Sequence, residues 1–144
     1  MDISIIGKGD SIVNINFHKI DTQIMVINFP SVPIKYDFMC SYDFRPPSKN
    51  DIYVKDFNLQ KEPCFNKEDK NTLGFFQYTI TAAVNWCYKQ NYEKIYLIGI
   101  DHDKGHYIEP GVIEFIEKFK NKCKIYQCHK SDIWNLPYCD KFNL

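Results

Sequence analysis

The chain has 144 residues, which is enough for one domain with its own hydrophobic core. Its 18 Lys and Arg residues balance 18 Asp and Glu residues, which argues against nucleic acid as the main partner because such binding depends on a basic excess. No run approaches the roughly 18 apolar residues of a membrane span, no secretory leader opens the chain, and its six cysteines form no C-x-x-C pair. We therefore expect a cytoplasmic protein with reduced thiols and neither a membrane span nor a zinc ribbon.

Apolar runs in the first half of the chain predict strands. These runs cover residues 3–6, 23–28 and 36–42, and residues 51–57 alternate as a more exposed strand. Between the first two runs, residues 12–22 contain weak helix formers and predict a short helix or an irregular connection. The polar residues 58–71 predict a connecting loop that is too short to separate two cores.

The second half of the chain contains the strongest helical spacing, over residues 72–90, with Thr72 near the predicted N-cap. A buried strand over residues 95–100, a helix from Pro110 to about Asn121 and a last strand over residues 124–128 follow. Continuous apolar strands that alternate with helices are typical of a parallel sheet covered on both faces. We therefore predict one α/β domain over residues 1–144, a Rossmann-like fold with a mostly parallel sheet flanked by helices.

Glycine and polar residues follow four of the predicted strands, where ligands of such sheets bind. After the first strand, residues 7–11 read Gly-Lys-Gly-Asp-Ser. The glycines Gly7 and Gly9 permit positive φ and close ligand approach, and turn amides beside Lys8 favour an anion. The spacing matches neither a Walker A motif nor the dinucleotide fingerprint, so a plain tight turn is the alternative.

Two further strands end in polar residues, Asn28 and Asp43. An Asn there can bond a base or a ribose, and an Asp can accept from a sugar hydroxyl or hold a metal; an ordinary turn is the alternative for each residue taken alone. Lys70, Thr72 and Gly74 stand at the start of the predicted helix, whose free amides suit a second phosphate or carboxylate, with ordinary capping as the alternative.

The strand over residues 95–100 is followed by Asp101-His102-Asp103, with His106 nearby. Asp and His side chains suit acid/base work or a divalent cation, and His106 has a suitable intrinsic pKa. A solvated loop in which Asp101 caps a turn is the alternative. Asp101 and His106 are therefore the candidate catalytic residues.

Taken in order, these motifs resemble the bacterial sialyltransferases of the Campylobacter type, glycosyltransferase family 42. They also resemble the wider superfamily of domains like the archaeal 6-hydroxymethylpterin diphosphokinase. The first strand of these proteins ends in G-x-G-P-S, where residues 7–11 stand here, and the second ends in Asn, as at Asn28. The most specific block is residues 91–101, Asn-Tyr-Glu-Lys-Ile-Tyr-Leu-Ile-Gly-Ile-Asp, which is similar to the family's "lG-y-k-e-I-y-L-x-G-x-D".

The resemblance implies a nucleotide-binding domain that holds a cytidine-monophosphate sugar donor. On the matching positions, the implied phosphate contacts are Gly7, Lys8, Gly9 and Ser11. Asn28 and Asp43 would contact ribose or donor sugar, and Asp101 would face the nucleotide. Thr72, Leu73 and Gly74 would lie along the donor.

The chain departs from the family pattern at several positions. Asp10 replaces the proline of the first turn, and Leu73 replaces the serine of the helix start. The substrate-covering lid that follows the last Asp is almost absent, and its general-base histidine has no counterpart, which leaves His106 as the nearby candidate.

Three functions follow from these observations. The first is a minimal transferase of a glycosyl or diphosphoryl group, the second a non-catalytic module that sequesters or senses a nucleotide, and the third a structural protein that keeps only the fold. Magnesium would accompany the diphosphokinase-like version and no metal the sialyltransferase-like one. The expected partner is a small-molecule nucleotide or nucleotide-sugar, and a homo-oligomer is left open.

Overall fold

Six parallel strands form the main sheet in the computed structural model, which describes residues 1–100 and 109–144. The strands, in chain order, are β1 (Asp2–Ile6), β2 (Gln23–Ile27), β3 (Phe38–Ser41), β4 (Ile52–Tyr53), β5 (Asn58–Gln60), β6 (Thr72–Gly74), β7 (Lys94–Ile98) and β8 (Lys124–Gln127). The main sheet has the order β4-β3-β2-β1-β7-β8, and β5 and β6 form a separate parallel pair. The predicted α/β, Rossmann-like fold with a mostly parallel sheet is confirmed.

The side chains of each strand alternate between two hydrophobic cores, one on each face of the sheet. Ile3 and Ile5 of β1 lie in the core beneath the helices α1 (Thr79–Lys89) and α2 (Pro110–Glu117). Ile6 lies in the opposite core, which Phe142 near the C-terminus helps to fill. Both faces of the sheet are therefore covered, which explains why its strands read as continuous apolar runs.

Short 3-10 turns occupy the connection between β1 and β2. They span Asp10–Asn14 and Phe17–Lys19, in agreement with the predicted short or irregular connection over residues 12–22. A third turn, Val54–Asp56, interrupts the segment predicted as one strand over residues 51–57, so only Ile52–Tyr53 pairs with β3.

The prediction for residues 58–90 is wrong in two respects. Asn58–Gln60 is a strand rather than part of a loop, and it pairs with Thr72–Gly74, which is a strand rather than the start of a helix. The helix begins only at Thr79. Asn85, fully buried in α1, binds this strand pair to the helix, because its Oδ1 accepts from the Gly74 amide at 3.0 Å and from the Cys64 amide at 2.8 Å.

Both helices are short, with 11 residues in α1 and 8 in α2. Among residues 1–100 and 109–144, no helix has the length and apolar character to cross a membrane.

Candidate functional site

A cavity of about 410 Å³ opens at the carboxyl ends of the strands, and we call it the rim cavity. It lies at the topological switch point of the sheet, where the strand order continues from β1 to β2 on one side and to β7 on the other. The described residues that line it are Gly7, Lys8, Gly9, Ile27, Asn28, Asp43, Gln77, Tyr78, Thr79, Ile80, Gly99 and Ile100. The structure thus brings together five predicted site residues: Gly7, Lys8, Gly9, Asn28 and Asp43.

The first wall of the rim cavity is the turn after β1, and two of its amides, those of Gly7 and Gly9, are already engaged. The Gly7 amide donates to Ile98 O and the Gly9 amide to Gly99 O, both at 2.8 Å. Gly9 is extended, with φ at −64°, and Gly99 is the described glycine with positive φ. The positive φ that the sequence allowed for Gly7 and Gly9 is therefore not adopted and their amides are engaged, while a phosphate contact by residues 7–11 stays a prediction.

Gly7 is needed for a different reason, which is the close approach of the ends of β1 and β7. A Cβ at Gly7 would lie 2.6 Å from Ile100 Cδ1 and 2.7 Å from Gly99 O. Lys8, exposed between the two engaged amides, forms no ion pair with a described carboxylate, so its ammonium is available to a ligand in the cavity.

Asn28 lines the rim cavity and carries a buried polar atom without a described partner. Its backbone amide donates to Cys40 O at 3.0 Å, and its φ of 59° is in the left-handed region. Its side-chain Oδ1 is buried and has no hydrogen-bond donor among the described residues. A buried acceptor without a donor costs about 1–3 kcal/mol, so a ligand hydroxyl or amino group there would restore a lost bond.

Asp43 also lines the rim cavity, where it is exposed two residues after the end of β3. The residues that follow Asn28 and Asp43, Phe29 and Phe44, stack face to face with ring centroids 4.9 Å apart and planes 5° apart. This aromatic pair joins the ends of β2 and β3, which holds Asn28 and Asp43 on one side of the cavity.

The opposite wall is the start of α1, and sequence reasoning missed its residues. Tyr78 is the N-cap, and Thr79 and Ile80 form the first helical positions, whose amides lack acceptors within the helix. Thr81 shapes this turn, because its Oγ1 accepts from the Phe76 amide at 2.9 Å and donates to Tyr78 O at 2.7 Å. The positive end of the helix dipole therefore faces the cavity, where it favours an anion.

Left-handed backbone conformations concentrate around the rim cavity. Four described residues have positive φ, and three of them line it: Asn28 (59°), Gln77 (62°) and Gly99 (67°). Gln77 also donates from its side chain to the Glu109 carboxylate, just before α2. Left-handed non-glycine residues cost about 1–3 kcal/mol each and cluster at functional sites, which supports this cavity as the site.

Ser11, Lys70, Thr72 and Gly74 do not line the rim cavity. Ser11 is buried in the Asp10–Asn14 turn, and Lys70 is exposed before β6. Thr72 O accepts from the buried Lys89 ammonium at 2.5 Å, and a Cβ on Gly74 would lie 2.6 Å from Glu62 O. The prediction that Thr72 and Gly74 begin the helix is wrong, and the structure gives them packing roles in the β5–β6 pair.

The predicted catalytic residues Asp101 and His106, together with His102 and Asp103, lie outside the described residues. Within the part of the chain that is described, no three His, Cys, Asp or Glu side chains cluster as metal ligands. Asp43 is the one carboxylate in the described lining of the rim cavity, so these residues do not supply a protein cage for magnesium.

The fold of this chain is similar to that of several solved structures. No protein-family model and no curated protein matches the sequence. Among solved structures, the sialyltransferase CstII from Campylobacter jejuni in complex with the substrate analogue CMP-3FNeuAc matches with a TM-score of 0.59 and 15% identity, over 99% of this chain and 87% of that chain. CstII in complex with cytidine-5′-monophosphate matches with a TM-score of 0.56 and 14% identity, over 99% of this chain and 88% of that chain.

A third structure, the sialyltransferase CST-II in complex with a trisaccharide acceptor and CMP, matches with a TM-score of 0.60 and 14% identity, over all of this chain and 88% of that chain. At sequence identities of 14–15%, these matches show the fold alone. The chain has a sialyltransferase-like α/β fold, as its sequence motifs predicted, and its placement in glycosyltransferase family 42 or with the diphosphokinase-like domains stays a prediction.

Proposed function

We propose that the chain binds a nucleotide or nucleotide-sugar in the rim cavity. The observation that carries this proposal is the buried Oδ1 of Asn28, which has no described donor and belongs to a residue that lines the same cavity as Lys8 and the start of α1. A nucleotide offers hydroxyl or amino donors to Asn28 and negative phosphates to Lys8 and to the amides of Thr79 and Ile80. Asp43 would accept from a sugar hydroxyl on the same rim.

A CMP-sugar is the proposed donor, and glycosyl transfer is the proposed reaction. The support is the fold shared with sialyltransferase structures that hold CMP or CMP-3FNeuAc. In this reaction an acceptor hydroxyl forms a bond to the anomeric carbon, and the bond from that carbon to the phosphate oxygen breaks. CMP leaves with the electron pair, and the hydroxyl proton passes to a base.

The described residues would contribute positioning and charge to this reaction. Lys8 and the start of α1 would stabilise the negative charge that develops on the departing phosphate. The acid/base role falls to His106 or Asp101, as the sequence predicts. No step of this proposal requires a metal.

Isothermal titration of the full chain with CMP, CDP, a CMP-sugar, ATP and GTP tests the binding proposal. We expect saturable binding of a cytidine nucleotide, because the neighbouring structures in complex hold that base. If no nucleotide of the series binds, the proposal is wrong for both the enzyme and the binding module.

Chromatography of CMP released from a CMP-sugar, with and without an acceptor glycan, tests turnover. We expect release that His106→Ala abolishes while CMP binding persists. Binding without any release would instead identify the non-catalytic module. Activity that appears only with ATP and Mg²⁺ and is lost with a chelator would identify a diphosphoryl transferase.

A further inference from the structure

A second concavity lies at the opposite end of the sheet, where β7 and β8 begin. Its volume is about 460 Å³, and we call it the lysine pocket. The described residues that line it are Lys67, Tyr88, Asn91, Tyr92, Glu93, Lys120, Asn121, Lys122, Cys123 and Lys124. Four lysines and one glutamate thus line it, in a chain whose total charge is zero.

This concentration of charge arises from a short stretch of sequence. Between the end of α2 and the start of β8, residues 118–124 read Lys-Phe-Lys-Asn-Lys-Cys-Lys. Phe119 is fully buried in the core, which turns the lysines on either side of it outward. Lys118 pairs with Glu62 at 2.5 Å, whereas Lys120, Lys122 and Lys124 have no ion pair with a described carboxylate.

Two of the ammonium groups are held in place by neutral partners. Lys67 donates to Asn91 Oδ1 at 2.7 Å and lies 4.5 Å from the centre of the Tyr88 ring. Lys122 lies 5.0 Å from the centre of the Phe65 ring. Asn91 itself is in the left-handed region, with φ at 66°, immediately after α1. These contacts position positive charge without neutralising it.

Like charges held together destabilise a folded protein, and neutral partners leave that repulsion in place. A multivalent anion would remove it. We propose that the lysine pocket binds a small phosphate-rich anion, of the class of inorganic triphosphate or the phosphate chain of a nucleoside polyphosphate. The zero net charge of the chain, which argues against nucleic acid as the main partner, favours a small anion over an extended polymer.

The test uses the full ¹⁵N-labelled chain titrated with inorganic triphosphate at low salt. We expect saturable amide shifts at Asn91 and residues 120–124, with a midpoint that is independent of any shift at residues 7–9 and 28. The double variant Lys122→Gln/Lys124→Gln should bind on the order of tenfold more weakly. The matched control Lys35→Gln/Lys49→Gln makes the same change in net charge elsewhere on the surface and should bind like the wild type.

Three results would overturn the proposal. One is the absence of saturable shifts, and another is an equal loss of affinity in the control, which would indicate general charge attraction. The third is tighter binding of a uridine oligonucleotide than of triphosphate at the same lysines. The double variant is also titrated with CMP, which tests the rim cavity and not the lysine pocket. If CMP does not bind, the proposal for the rim cavity is wrong, and the triphosphate result is unaffected.

Discussion

Asn28 carries the argument for the rim cavity at the level of single residues. Its backbone occupies a conformation that favours glycine, and its side chain ends in a buried acceptor without a described donor. Both features cost free energy in the unbound protein. A bound ligand that donates to Oδ1 would offset part of that cost.

Replacing Asn28 with glycine isolates the side chain from the backbone. Asn28→Gly keeps the positive φ and removes the buried acceptor that has no described donor, so we expect the free energy of unfolding in urea not to fall. CMP affinity, measured by isothermal titration, should fall about tenfold because the ligand loses one hydrogen bond. Asn66→Gly, the same substitution in an exposed turn, is the control. Equal affinities in all three proteins would argue against a contact with Asn28.

Lys8 is the cation that the first turn adds to the rim cavity. Lys8→Gln should weaken CMP binding about fivefold at low salt, the value expected for one exposed charge pair. The difference from wild type should shrink as salt is added, because an exposed pair is screened. Lys35→Gln is the control of equal charge. A loss of affinity that does not depend on salt would point to a packing effect of Lys8.

The start of α1 is the feature that matters most at the level of secondary-structure elements. The apolar spacing that predicted a helix from Thr72 includes Phe75 and Phe76, which instead lie in the turn between β6 and α1. Pairing with β5 keeps Thr72–Gly74 extended, and the hydroxyl of Thr81 closes the turn that precedes the helix. The helix therefore begins seven residues later, at Thr79, where its free amides face the rim cavity.

Thr81→Val tests this turn with a side chain of nearly the same shape. The variant leaves the Phe76 amide without its acceptor, so we expect a loss of about 1–2 kcal/mol in the free energy of unfolding. CMP affinity should fall as well, since the turn positions Gln77 and Tyr78. Thr81→Ser retains the hydroxyl and should keep most of both properties. If the serine variant is as weak a binder as the valine variant, the hydroxyl does not set the turn.

At the scale of the whole molecule, the two faces of the sheet bury most of the cysteines. Burial raises the pKa of Cys40 to about 12, and burial also raises the pKa of Cys128 to about 12 and that of Cys123 to about 11. Burial raises the pKa of Cys87 as well. These thiols stay protonated in the folded protein at a pH where the unfolded chain already ionises.

The raised pKa values predict a loss of stability in alkali. Above the unfolded thiol pKa, near 9, the unfolded chain binds fewer protons than the folded one, so the free energy of unfolding falls as pH rises. The loss approaches about 1.4 kcal/mol per pH unit for each such thiol until the folded pKa is reached. Urea unfolding at about pH 8 and about pH 10 measures it, with Cys40→Ala as the variant that should lose less. An unchanged slope in that variant would assign the effect to other groups, such as Tyr92.

The sequence by itself determined the strands of the main sheet and the polar residues that follow them. Residues 3–6, 23–28 and 95–100 are apolar because both faces of a parallel sheet are buried. Each such strand can therefore be recognised in the sequence as a continuous apolar run. The rule that carboxyl ends share one edge then placed Lys8, Asn28 and Asp43 together. The fold and five of the twelve described residues that line the rim cavity could thus be predicted from local pattern.

Tertiary structure decided the rest of the site. The engaged amides of Gly7 and Gly9 depend on strand β7, some ninety residues away in the chain, and the helix start depends on the pairing of β6 with β5. Asn28 Oδ1 is buried without a described donor because of the residues that the fold places around it. Hydrogen bonds between distant segments and left-handed backbone conformations leave no periodic signal in a sequence, because they are properties of the assembled neighbours and not of the residues themselves.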